Sequence, residues 1–267
     1  MRTRINKTDY LLSLIREGKK MALKQQLKLT VYLSIPAIMT QLSSIVMQYV
    51  DASMVGSLGA NASASIGLVS TTTWLFWGLC AAAATGFSVQ VAHLIGAGNF
   101  AGARKILRQS ITATLLFGSS LAAIGVFISD SLPGWLGGDE IIRKDSSVYF
   151  LIFSLFLPVL QMNFLASGML RCSGNMYIPS ILNILMCLLD IIFNFFLIFP
   201  KRQIEIMGLN IDIYGAGLGV KGAALRTVLA ELVTAGGMMW YLCLRSPLLK
   251  LSGERGLLVP RKDTLRK

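Results

Sequence analysis

The sequence predicts an all-α, polytopic membrane bundle of six transmembrane helices with both termini on the cytoplasmic side. Three observations predict it. Apolar residues fill 54% of the 267 positions and charged residues only 14%, where soluble domains carry about 25% charged residues; the mean hydropathy is +0.63. Six runs reach the roughly 20 apolar residues that cross a bilayer core: Leu29–Leu58, Gly67–Ile95, Ile106–Ile128, Val148–Leu170, Ile178–Phe199 and Gly222–Leu244. Finally, basic loops alternate with neutral or acidic ones, the charge asymmetry that orients membrane spans.

Taken in order, residues 1–28 carry eight Lys/Arg and two acids. Their stretch YLLSLIREGKKMALKQQLKL reads as a basic amphipathic segment lying in the interface, not as a cleavable leader. No charge follows the first span, and Arg104, Lys105 and Arg108 follow the second. The third-to-fourth loop sets Asp130, Asp139, Glu140 and Asp145 against Arg143 and Lys144, and from Arg245 onward seven Lys/Arg face two acids. The fifth-to-sixth loop, Pro200–Lys221, departs from the alternation, since Lys201, Arg202 and Lys221 outnumber Glu205 and Asp212. The chain thus divides into the basic segment 1–28, a six-helix lobe 29–245 and a basic cytoplasmic linker or tail 246–267. Its net charge of +12 falls on the cytoplasmic segments and points to the lipid bilayer, with no nucleic-acid partner. Pro36 and Pro158 are expected to kink their helices.

Polar residues spaced three and four apart share one helix face. The first span places Gln41, Ser44, Gln48 and Asp51 at spacings of 3, 4 and 3, and the fifth places Asn183, Cys187, Asp190 and Asn194 at 4, 3 and 4. The sixth has Thr227, Glu231 and Thr234 at 4 and 3. Each set fits an arc of roughly 60–80°. Counted from the outer ends of the spans, Asp51, Asp190, Asn194 and Thr227 lie roughly 8–14 Å deep in the outer half of the bilayer. A carboxylate in lipid costs roughly 2.5–3.5 kcal/mol at a helix centre and persists mainly where it faces a bundle interior or an aqueous cavity. Two carboxylates, an amide and a hydroxyl at one depth can hold a small hard cation, or the acids can share a proton. Gln41, Ser44, Gln48 and Asn183 are candidates to line the same polar cavity, and hydrogen bonding between helices accounts equally well for Gln41, Ser44 and Asn183. Glu231 either joins the site or pairs with Arg226, and pairing is the expectation.

IPAIMTQLSSIVMQYVDASMVGSLG resembles the first helix of the multidrug and toxic compound extrusion (MATE) transporters. GFSVQVAHLIGAGNFAGARK resembles the end of their second helix, GMLRCSGNMYIP their fourth-to-fifth turn, NILMCLLDIIFNFFLIF their fifth helix and GLGVKGAALRTVLAE the start of their sixth. The order is kept across nearly the whole chain. The resemblance implies a secondary antiporter that exports drugs and organic cations in exchange for Na+ or H+, with no other cofactor. It implies twelve helices in two six-helix lobes around a central cleft, in the plasma membrane. Asp51, Asp190, Asn194 and Thr227 match the residues that line the family's cation site in the amino-terminal lobe. Six spans make one lobe, so a second six-helix lobe is the expected partner, in the same full-length chain or in another, because alternating access needs two bundles. Pro200–Lys221 is long for the family.

Other signals carry less. GAGNFAG and GAGLGVKG lack the glycine spacing and preceding strand of a phosphate loop. His93 reads as interfacial, and Cys80, Cys172, Cys187 and Cys243 read as small apolar residues without disulfide or metal spacing. No nucleophile–base constellation is present, so no catalytic residue is assigned and no enzyme is expected. One alternative function is a flippase for lipid-linked oligosaccharides from the same superfamily. It needs basic residues inside the cleft, whereas Arg171, Lys221 and Arg226 are expected close to the membrane edges. A second is a half-size, non-transporting interaction module. A channel is a third, without the paired Asn-Pro-Ala half-helices of water channels.

Overall fold

The computed structural model describes Leu11, Leu14 and residues 21–206 and 209–251. Most of the basic segment expected over residues 1–28, and most of the tail expected over 246–267, lie outside the described residues. Helix α1 (Leu23–Gly56) runs 34 residues, about 50 Å, and begins six residues ahead of the expected span. It stays helical through Pro36. Helix α2 spans Ala60–Gly96. Helix α3 (Phe100–Ile128) is capped by Asn99, whose side chain accepts from the Gly102 N–H at 2.9 Å, the usual way to satisfy a helix's first free donors.

After the short turn α4 (Leu132–Trp135) come α5 (Glu140–Leu155) and α6 (Leu157–Cys172), which meet at a bend of 48°. The span expected over Val148–Leu170, with a kink at Pro158, is thus two helices broken at Phe156. Pro158 explains the break: it lacks the N–H that would bond the Ser154 carbonyl, and its ring crowds that carbonyl. Helix α7 covers Tyr177–Leu197. The expected fifth-to-sixth loop is an antiparallel hairpin, β1 (Pro200–Ile206) and β2 (Leu209–Ala216), in which Ile206 pairs with Leu209. Helix α8 (Gly219–Trp240) ends in a π-helical turn, Tyr241–Arg245.

Five of these helices are long and apolar enough to cross a membrane, or six if the bent α5–α6 pair counts as one span. The interior is an apolar core in two parts, one around Val91, Leu107, Leu165, Met169 and Leu242, the other around Val69, Phe76, Leu121, Phe150 and Leu157. Helix α1 sits at the margin. It packs chiefly on α7 and barely on its sequence neighbour α2, and Leu29 and Thr40 are its buried residues. Helices α7 and α8 are pressed together at Gly222, where a Cβ would stand 2.5 Å from the Leu197 carbonyl oxygen. Only glycine permits that approach, and it brings the next turn of α8 against the polar face of α7.

Candidate functional site

Asp190 and Asn194 lie four residues apart on α7 and so share a face. Asp51 reaches that face from α1. Arg226 reaches it from α8, one turn beyond the Gly222 contact. Arg226 Nη1 stands 2.8 Å from Asp51 Oδ1 and also bonds Asp190 Oδ2. Asn194 Nδ2 donates to the same Asp51 oxygen at 2.8 Å. The side chains are 18% exposed for Asp51, 1% for Asp190 and 6% for Arg226, so the pair is buried apart from one side of Asp51. Two carboxylates and one guanidinium leave a net charge of −1. Among the described residues, Asp190 Oδ1, Asn194 Oδ1 and Arg226 Nε are buried without a hydrogen-bond partner. Such atoms are rare because each unsatisfied group costs about 1–3 kcal/mol, and the two oxygens are open acceptors.

Arg226 corrects two sequence expectations. It was expected near a membrane edge and is buried among the helices, and it pairs with the two aspartates instead of Glu231. The helix explains the second. Five residues turn a helix by roughly 140° beyond a full circle, so Arg226 and Glu231 project from different faces of α8. Glu231 instead accepts from Asn163 Nδ2 on α6. Asn163, and Gln161 beside it, were missed in the sequence. The signal was two amides in the apolar span LPVLQMNFLASGML, a rare placement in lipid. Gln161 is fully buried, and both of its amide atoms lack a partner among the described residues.

Of the four residues expected to line a cation site, the structure brings Asp51, Asp190 and Asn194 together. Thr227 follows Arg226 directly and therefore projects about 100° away. It lines a separate small pocket with Phe153, Phe156, Val159, Leu160, Val228 and Glu231. Gln41 and Gln48 are exposed on α1. Ser44 is half-buried and donates within its own helix to the Thr40 carbonyl at 3.0 Å, so it makes no bridge between helices. Asn183 is half-buried on α7, nearly two turns before Asp190. Among the described residues, no group of three or more His, Cys, Asp or Glu is placed to hold a metal ion.

The MatE family model matches residues 36–196, more than half of the chain. A probable multidrug resistance protein NorM of Thermotoga maritima is 26% identical over 233 residues, 86% of this chain and 46% of its own length. An FAD transporter of Shewanella oneidensis is 24% identical over 179 residues, 66% of this chain and 40% of its own. The chain spans about half the length of the curated relatives it matches. An outward-facing multidrug resistance MATE family transporter of the MOP superfamily shares the fold with a TM-score of 0.78 at 22% identity, covering 96% of this chain and 51% of that one. A MOP superfamily transporter from Pyrococcus furiosus gives 0.75 at 23%, covering 88% and 49%. The chain belongs to the MatE family.

Proposed function

We propose that this chain is the amino-terminal, cation-coupling lobe of a secondary antiporter that exports drugs or organic cations across the plasma membrane in exchange for Na+ or H+. The bent α5–α6 pair counts as one span, giving six, and both termini face the cytoplasm. A second six-helix lobe completes the transporter, in the full-length chain or in a partner. One observation carries the reading: Asp51, Asp190 and Asn194 converge inside an apolar bundle, with open acceptor oxygens on Asp190 and Asn194. A structural role alone rarely places two ionisable groups at such a depth. Ion loading at this cluster changes its charge, and a ligand with different affinity for two conformations shifts the balance between them. The exposed Gln41 and Gln48 of α1 are assigned to the face that lines the cleft.

The substrate panel for this protein includes an anionic dinucleotide, because the Shewanella relative is named an FAD transporter. The flippase reading gains little from the buried position of Arg226, because its charge is taken up by two carboxylates. The test is gradient-driven dye efflux by the full-length protein carrying Asp51→Asn. Loss of coupling to the cation gradient is the expected result; undiminished coupling removes Asp51 from the mechanism and the cation site with it.

A further inference from the structure

We propose that Arg226 determines which ion the coupling site takes: its guanidinium fills the cation position between Asp51 and Asp190, so the site accepts a proton and rejects sodium. The inference rests on the reading that this lobe holds the coupling site.

The geometry carries it. A single nitrogen, Nη1, contacts a carboxylate oxygen of each aspartate, which is where a free cation bridging the pair would sit. A hard cation collects about six oxygen ligands. Here one oxygen of each aspartate is committed to Arg226, and Asp51 Oδ1 also takes the Asn194 amide. Among the described residues, the cluster's buried acceptors without partners are Asp190 Oδ1 and Asn194 Oδ1. A sodium ion held by those two would stand within a few ångströms of a permanent positive charge, in a dry interior where like charges repel strongly. Displacing the guanidinium would leave it buried and unpaired, which is costlier still. Arginine does not escape by losing its proton.

A proton needs no ligand shell. It binds to one carboxylate oxygen, and the guanidinium keeps the other carboxylate as its partner. The charges also close. Two carboxylates against one guanidinium leave −1, and one bound proton brings the cluster to zero. Four other groups lie on the elements packed around the cluster. Tyr149 approaches from α5 and Cys187 from α7 itself, Asn163 of α6 is neutral, and Glu231 of α8 is bound to it on a different face. Loading with one proton thus neutralises the cluster.

The test uses the purified full-length protein in vesicles, with a proton gradient at fixed sodium or a sodium gradient at fixed pH. The proton gradient is expected to drive efflux, with the sodium gradient at least about tenfold less effective. Arg226→Gln is expected to bring saturable binding of radiolabelled sodium that the parent lacks, and Arg226→Lys to stay blind to sodium. Sodium-driven efflux by the parent, saturable sodium binding to it, or an Arg226→Gln protein that still ignores sodium would each overturn the proposal. If neither gradient moves any substrate, the transport reading fails, and sodium binding to parent and variant decides the role of Arg226 by itself. If Arg226→Gln does not fold, carbodiimide labelling of the parent's buried carboxylates decides instead. Slower labelling in sodium chloride than in potassium chloride overturns the inference; equal labelling in both, slowed only by raising the pH, upholds it.

Discussion

Removing both members of the Asp190–Arg226 pair should cost clearly less than the two single removals added together. The two side chains are almost fully buried, so salt screens their attraction only weakly. At an effective dielectric of about 20, unit charges about 4 Å apart attract by about 4 kcal/mol. Truncating Arg226 forfeits that attraction and strands both carboxylates, so Arg226→Ala should destabilise the protein by about 3–5 kcal/mol, and Asp190→Ala, which leaves Arg226 its contact with Asp51, by less. The double variant strands no charge on α8 and should cost less than the sum of the singles by about 2 kcal/mol or more, since contacting residues couple by up to about 3 kcal/mol. Asp51 is partly open to solvent and shares its oxygen with the Asn194 amide, so Asp51→Ala should cost less than Asp190→Ala. The assay is unfolding of the full-length protein and the variants in one detergent, followed by temperature or denaturant at low and high salt. Additivity of the two singles to within about 0.5 kcal/mol, or a larger loss from Asp51→Ala than from Asp190→Ala, refutes the reasoning.

Gly222→Ala should lower the unfolding midpoint, because the new methyl group would stand 2.5 Å from the Leu197 carbonyl oxygen and overpacking of this kind costs about 1–3 kcal/mol. The same variant should weaken gradient coupling, since Arg226 rides on the displaced turn; a protein as stable and as active as the parent would contradict the close approach. Ser154→Ala should be neutral or stabilising by up to about 1 kcal/mol, because its hydroxyl is buried with no partner among the described residues. A loss larger than that in the same unfolding assay would show that the hydroxyl is satisfied in the folded protein.

The sequence by itself determined the class of fold, the membrane and most of the cluster. Hydropathy is summed along the chain, so the apolar runs need no partner to be recognised. The spacing of Asp190 and Asn194 put them on one helix face before any helix was seen, because helical periodicity is local. Other features were legible and passed over. The alternation in RQIEI and NIDIY is a strand signal, and the hairpin β1–β2 stands where a loop was expected. Pro158 was expected to bend its span and the chain bends there, at Phe156, whereas α1 runs on as a helix through Pro36.

The tertiary structure alone decided what the charges do. No pattern along α8 says that Arg226 turns to Asp51, 175 residues earlier in the chain, instead of to Glu231 on its own helix. That choice depends on where α1 and α7 lie around α8, and so on how closely Gly222 lets two helices approach. It likewise separates Thr227 from the aspartates it was expected to join and gives Glu231 to Asn163. Burial sets the energies here, because a charge is cheap in water and expensive in a dry bundle. A sequence can carry a charge into the membrane, but only the packing of its helices chooses the charge that answers it.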